Sequence, residues 1–139
     1  MEITANALQT VQANQNVIFT DTAVCGSNSI MHREGSGLVT LRGLTDQCRA
    51  RFKVYFSGNV AIPAGGAVAP ITLAIALNGE GVGPTTMIST PAAAEEFNNI
   101  ASFIYVEVPR GCCYQLSVKN IGAAPIDVQN ANLIIDRVA

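Results

Sequence analysis

The residue types best suited to chemistry in this sequence are its four cysteines, two of which are adjacent. Cysteines form metal cages, redox catalysts and disulfide staples, and free cysteines also pack in ordinary cores. No pair has the Cys-x-x-Cys spacing of a zinc knuckle or a thioredoxin-like site, and the sequence has a single histidine, His32. The spacing therefore argues against metal binding and redox catalysis, and it leaves crosslinking or plain packing for Cys25, Cys48, Cys112 and Cys113.

No other residues form a recognisable catalytic set. Glu34, Glu95 and Glu96 do not form a paired-carboxylate arrangement that the sequence pattern can support. Ser36 in "EGSGL" departs from the Gly-x-Ser-x-Gly elbow of hydrolases and has no strand-to-helix context around it. We therefore expect a protein that is not an enzyme and that uses no cofactor and no metal.

The composition constrains the kind of partner. The chain has 139 residues, which suits one domain, and only 13% of them are charged, against the roughly 25% that is usual. This deficit favours a surface covered by other subunits; the alternative is a neutral surface rich in Asn, Gln, Ser and Thr. A net charge of −2 argues against nucleic acid as a partner.

Neither a secretion signal nor a membrane span is evident from the residue pattern. The first residues, "MEITANALQTVQANQ", have no basic start and no apolar core of signal-peptide length. No apolar run approaches the ~20 residues of a transmembrane helix. We expect synthesis in a bacterial cytoplasm and no membrane partner.

Alternation of apolar and polar residues is the dominant pattern of the chain. It occurs in short runs divided by Gly, Pro and Asn, which is typical of an all-β sandwich or jelly roll of eight to ten antiparallel strands. A helical turn is expected only in "PAAAEEFNN" at 91–99, and residues 1–14 are interpreted as an N-terminal arm before a domain at 15–139. The predicted strands are 16–20, 29–34, 37–43, 49–60, 71–82, 85–90, 100–108, 112–120 and 130–138.

Several phrases of the sequence resemble known jelly-roll proteins. The order "ARFKVYF", a Gly/Pro loop, "ITLAIALNGEGV", "VEVPRGCCYQLSV" and "NLIIDRVA" resembles the tumour-necrosis-factor/complement type, including the C-terminal heads of collagen-like exosporium glycoproteins. The stretches "HREGSGLVTL", "TPAAAEEF" and "NANLIIDRVA" are similar to small structural proteins of phages and prophages of clostridia-like bacteria. The collagen repeat of the spore proteins is absent from the sequence, which favours the virion protein.

The resemblance implies an assembly and a function. Proteins of this fold class are typically trimers with one sheet at the three-fold axis, here the strands at 16–20, 50–60, 100–108 and 130–138. The expected function is a virion structural protein that decorates a capsid or caps a fibre at the virion surface, attached to the capsid or fibre protein through residues 1–14. The alternative is an adhesion or receptor-binding head of a spore coat or tail tip, which binds a host glycan or protein.

Strand parity assigns the cysteines to faces. Cys48 has the parity of the apolar face of 49–60, and Cys112 has the parity of Tyr114, so both are predicted to be core thiols. Cys113 then points outward. Cys25 lies in a Gly/Ser/Asn loop and is the candidate disulfide partner of Cys113, within or between subunits. Four reduced thiols are the alternative in a protein made in a cytoplasm.

Polar and aromatic residues on the non-core faces of three strands predict the subunit interface. Aromatic residues and arginine are enriched at interfaces, although a solvated face would also suit the basic residues at 49–53. In the implied trimer, Arg51 is expected to pair with Glu107 or Asp136 on neighbouring strands. The interface prediction consists of Arg51, Tyr55, Phe103, Tyr105, Glu107 and Asp136.

Overall fold

Two antiparallel sheets of six strands each face one another in the computed structural model, which describes residues 1–139. The strands are β1 (Glu2–Ala5), β2 (Gln9–Val11), β3 (Asp21–Val24), β4 (Ile30–His32), β5 (Val39–Arg42), β6 (Arg49–Ala61), β7 (Ile71–Leu77), β8 (Glu80–Gly81), β9 (Met87–Ser89), β10 (Asn98–Pro109), β11 (Cys113–Asn120) and β12 (Ile126–Arg137). The predicted all-β jelly-roll sandwich is confirmed.

The strand order alternates between distant parts of the chain. The first sheet runs β10-β6-β12-β1-β3, with β2 also paired to β12. The second sheet runs β4-β5-β11-β7-β8, with β9 also paired to β7. The first strand of the chain therefore pairs with the last, and three of the four strands assigned from the resemblance to the inner sheet (β6, β10 and β12) are adjacent in the first sheet.

Alternation builds the core between the sheets. In β6, Ala50, Phe52, Val54 and Phe56 are fully buried, while the residues between them are exposed at the start of the strand. The core is one cluster of 28 buried residues from both sheets. Removing each large side chain from water contributes roughly 1.5–3 kcal/mol, so the hydrophobic effect holds the two sheets face to face.

The predicted N-terminal arm is wrong. Residues 2–5 and 9–11 are strands of the first sheet, and Ile3, Ala5 and Val11 are buried in the core. The runs are only four and three residues long, so their alternation does not stand out among the polar neighbours. The sandwich therefore includes residues 1–14 as well as the predicted domain at 15–139.

Two local predictions also differ from the structure. Residues 16–20 form no strand: Asn16 and Phe19 make isolated bridges to Lys119 and Ser36, although Phe19 is buried as the alternation predicts. Residues 91–97 form an irregular loop instead of a helical turn, because tertiary contacts override the local helix preference. The one helix of the chain is the short 3₁₀ turn Gly83–Thr85, and no helix is long and apolar enough to cross a membrane.

Candidate functional site: the exposed face of the first sheet

Three adjacent strands of the first sheet present the predicted interface residues together. The register places Phe103 of β10 opposite Tyr55 of β6, and Tyr55 opposite Ile134 of β12. One step along the strands, Lys53 lies between Tyr105 and Asp136, and Glu107 lies opposite Arg51 a further step away. We call this surface the aromatic face; it consists of Arg51, Lys53, Tyr55, Phe103, Tyr105, Glu107, Ile134 and Asp136.

The aromatic face is exposed in the single chain. Phe103 is 56% exposed, Tyr105 57% and Tyr55 40%, because the pleat turns them away from the core while Val54 and Val106 point inward. A lone exposed apolar residue needs no explanation, but three neighbouring aromatic side chains form a contiguous patch. A contiguous exposed patch of this kind is a candidate contact surface.

Charges lie beside the aromatic side chains. The Arg51 guanidinium donates from Nη2 to Glu107 Oε1 at 3.0 Å, and Arg49 Nη1 lies 3.9 Å from Glu107 Oε2. Lys53 Nζ lies 5.9 Å from the centre of the Phe103 ring, at the outer limit of a cation–π contact. Of the two partners expected for Arg51, Glu107 is therefore the one it contacts.

Asp136 has a different partner. Its Oδ1 lies 3.8 Å from the ammonium group of Met1, which also donates a 2.7 Å hydrogen bond to the carbonyl of Ile135. Between Asp136, Lys53, Tyr55 and Ile134 the surface has a shallow depression of about 290 Å³. The depression is large enough to accept a side chain from another molecule.

Sequence reasoning missed Ile134, an apolar residue of the aromatic face, and Val24, which lies outside that face on the same side of the sheet. Ile134 lies between the buried residues Leu133 and Ile135 and faces outward, and Val24 at the far edge of the same row is 55% exposed. An apolar residue at an outward position of an alternating strand was the available signal for Ile134. For Val24 the short strand β3 gave no comparable pattern.

A neutral cleft of about 410 Å³ lies at the end of the sandwich where β6 leads into β7, between the loops at 62–70 and 121–125. Small apolar residues dominate its lining and no charged side chain contributes. Asn120 at its base is fully buried and donates to the carbonyls of Val11 and Ala124 at 3.2 and 2.9 Å. Asn120 Oδ1 also accepts a hydrogen bond from the Gly122 backbone amide at 3.0 Å. The Asn120 side chain therefore stabilises the fold.

The prediction that Cys48 and Cys112 are core thiols is wrong, because all four cysteines are exposed and free. Cys48 precedes the first residue of β6, beyond the edge of the core. Cys112 lies in the turn after β10, where its amide donates to the Pro109 carbonyl at 3.0 Å, so strand parity does not apply to it. Cys113 begins β11 and points outward as expected.

No bond joins Cys25 to Cys113 within the chain. Cys113 lies opposite Arg42 of β5, and the Arg42 amide donates to the Ser29 carbonyl at 2.8 Å. Two strand spacings, about 10 Å, therefore separate Cys113 from Ser29, and Cys25 lies four residues before Ser29. A Cys25–Cys113 bond between subunits stays a prediction.

The remaining chemical candidates have structural roles. His32 Nε2 lies 2.9 Å from the Ser36 carbonyl oxygen, and the His32 ring meets Phe19 edge-on with 6.5 Å between ring centres. This contact holds the turn at 33–36 against the sandwich. The structure contains no group of three or more His, Cys, Asp or Glu side chains that could hold a metal ion.

Comparison with known proteins defines the class of fold. No protein-family model and no curated protein sequence matches the chain. The globular domain of zebrafish complement 1qA protein superimposes with a TM-score of 0.63 and 9% sequence identity, over 96% of this chain and 93% of that one. The carbohydrate-binding module CBM35 from Cellvibrio japonicus Abf62 covers 100% of this chain and 98% of its own, at 9% identity and a TM-score of 0.41. The chain has the complement/tumour-necrosis-factor type of jelly roll, which confirms the fold implied by the resemblance.

Proposed function

We propose that this chain is a non-enzymatic structural subunit that assembles as a homotrimer through the aromatic face. The observation that carries the proposal is the contiguous patch of Phe103, Tyr105 and Tyr55 on one face of a regular sheet. Covering the exposed parts of such side chains contributes roughly 1–2 kcal/mol each. The jelly-roll resemblance supports the number of subunits, and the exposure of the aromatic face supports the choice of surface.

The charges of the face support a subunit contact. Arg51 and Glu107 are 52% and 41% exposed, so their 3.0 Å pair contributes little to the stability of a single chain. In a contact that excludes water the same pair is already formed, and neither charge is left without a partner. Covering the face would therefore leave Arg51 and Glu107 paired, whereas Lys53, which forms no salt bridge within the chain, would need an acceptor on the neighbouring subunit.

The proposed setting is the surface of a phage or prophage particle, where the trimer decorates the capsid or caps a fibre after synthesis in the bacterial cytoplasm. The similarity of short phrases to phage structural proteins supports this setting. Because residues 1–14 belong to the first sheet, attachment to the capsid or fibre protein through them would use exposed side chains such as Leu8, which is 54% exposed.

A second candidate function is a surface adhesion or receptor-binding head. The neutral cleft between the loops at 62–70 and 121–125 favours it, because a concave site without charges suits an uncharged part of a host glycan or protein. Binding of the purified protein to host cells, together with its absence from purified particles, would favour this alternative.

Light scattering during size-exclusion chromatography tests the assembly. The 14.5 kDa chain is expected to elute at three times this mass, and Tyr105→Glu is expected to shift it toward the monomer, because the new charge would enter a desolvated contact. Ile88→Glu is the matched control, since Ile88 is 67% exposed on the outer face of the second sheet. A wild-type monomer at micromolar concentration, or normal assembly of Tyr105→Glu, would contradict the proposal.

A further inference from the structure

The placement of the cysteines is unusual for a reduced protein. Free cysteine is among the residue types most often buried, yet none of the four belongs to the 28-residue core. Three of them lie at the end of the sandwich where β6 begins and β10 ends. We call this surface the thiol end; it consists of Cys48, Cys112 and Cys113. Cys25 follows β3 at the opposite edge of the first sheet.

Backbone contacts hold the thiol end in place. The Arg110 amide donates to the Cys48 carbonyl at 2.9 Å, and the Gly43 amide donates to the Cys112 carbonyl at 2.9 Å. A Cβ atom on Gly43 would lie 2.1 Å from the Pro109 carbonyl oxygen, so only glycine permits this approach of the two loops. The thiols are therefore carried by loops that the fold positions.

The thiol end continues the aromatic face. Cys48 directly precedes Arg49, which lies opposite Pro109 and near Glu107, and β6 then carries Arg51, Lys53 and Tyr55 on that face. A trimer formed through this face thus brings the thiol ends of its three subunits toward one another. The exposed thiols of this end are thus placed for bond formation between chains.

We propose that disulfides between Cys48 of one subunit and Cys112 or Cys113 of its neighbour lock the trimer covalently. This inference rests on the proposed trimer. Each bond forms when two protein thiols reduce one low-molecular-weight disulfide such as oxidised glutathione: one S–S bond forms in the protein, the small S–S bond breaks, and two small thiols carry away the two electrons and two protons.

The presence of thiols on two different loops is what allows a closed ring. Around a three-fold axis the contacts are head-to-tail, so each subunit offers one surface to one neighbour and a different surface to the other. A single thiol per subunit could join only two of the three chains. Cys48, before β6, and the Cys112–Cys113 pair, after β10, give each subunit two thiol positions on neighbouring loops, and three bonds between subunits would close the ring.

Non-reducing denaturing gels of the full chain, treated with oxidised glutathione, test this inference. The wild type is expected to give a covalent trimer band that a reductant collapses to the monomer. Cys48→Ser and the double variant Cys112→Ser/Cys113→Ser are each expected to lose that band. Cys25→Ser is the matched control, an exposed cysteine outside the thiol end, and is expected to keep it.

The mass of the wild-type protein in reducing buffer distinguishes failure of the disulfide ring from failure of the trimer itself. A wild-type trimer by light scattering that gives no covalent trimer on oxidation would overturn the disulfide ring alone. A monomer in both measurements would overturn both proposals. A monomer band in which Cys48 and one thiol of the Cys112–Cys113 pair are no longer free would show an intrachain bond. Loss of the trimer band in Cys25→Ser would show that Cys25 forms the bond. Either result contradicts the inference.

Discussion

The outer faces of the two sheets are built from the same kind of alternating strand, but they carry different residues. On the first sheet, Phe103, Tyr105 and Tyr55 are contiguous. On the second sheet, Thr40 lies opposite Gln115, at a side-chain distance of 3.2 Å, and the paired residues Ser117 and Ala76 are small and buried, at 2% and 0% exposure. No aromatic residue occupies the outer face of the second sheet.

The exposed apolar residues of the second sheet are also far apart. Met31 and Ile88 are 53% and 67% exposed, but they lie on the strands β4 and β9 at opposite sides of the sheet, with β5, β11 and β7 between them. Scattered apolar residues are normal on a solvated surface, whereas a contiguous patch marks a contact. Contiguous exposed aromatic side chains are therefore found on the first sheet, which is the face that we propose for assembly.

The largest effect is expected from Ile3→Ala, which tests whether residues 1–14 belong to the first sheet. Ile3 is fully buried in β1, the strand between β12 and β3. Its truncation is expected to lower the free energy of unfolding by about 2–5 kcal/mol, measured by urea denaturation. Leu8→Ala is the control, since Leu8 is 54% exposed in the same segment and should cost less than about 0.5 kcal/mol. A loss below about 0.5 kcal/mol for Ile3→Ala as well would restore the interpretation of residues 1–14 as an arm.

A smaller effect is expected from Glu107→Gln, which asks whether the aromatic face is covered. In the single chain the 3.0 Å Arg51–Glu107 pair is solvent-exposed, so the free energy of unfolding of the monomer should change by less than about 1 kcal/mol. In the trimer Arg51 would be buried without its partner, and assembly should weaken by about 2 kcal/mol, measured by analytical ultracentrifugation. An assembly constant equal to that of the wild type would mean that the Arg51–Glu107 pair remains solvent-exposed in the assembly.

The smallest effect is expected on the second sheet. Thr40 is half-buried on the outer face, and its hydroxyl lies 3.2 Å from Gln115 Oε1. Thr40→Val is expected to change both the unfolding free energy and the assembly constant by less than about 0.5 kcal/mol. A marked loss of assembly in this variant would show that the second sheet also takes part in a contact.

Residue alternation predicted the fold and the aromatic face because both depend on the same period of two. Phe103, Tyr105 and Glu107 could be assigned to one face from spacing alone, and the register later placed Arg51 opposite Glu107. The rule failed where no regular strand exists. Cys112 lies in a turn and Cys48 lies before a strand, so their parity carried no information on burial.

The N-terminal strands could not be predicted for a related reason. The runs that pair at Glu2–Ala5 and Gln9–Val11 are too short for a periodic pattern, and their place in the sheet depends on β12 at the other end of the chain. A contact between segments so far apart in sequence leaves no local signal. The neutral cleft could not be predicted for the same reason, since segments from three distant parts of the chain form it.

The pairing of the first strand with the last has a consequence for how the protein is made. Glu2 is in register with Ile134, and the Met1 ammonium group bonds to the Ile135 carbonyl. A chain emerging from the ribosome cannot complete the first sheet until its last strand is available. Such distant contacts also make folding slow, because a long loop must close before they form. Until β12 arrives, β2 has no partner strand and β1 and β6 each have one unpaired edge, and we expect aggregation of nascent or truncated chains to begin at these edges.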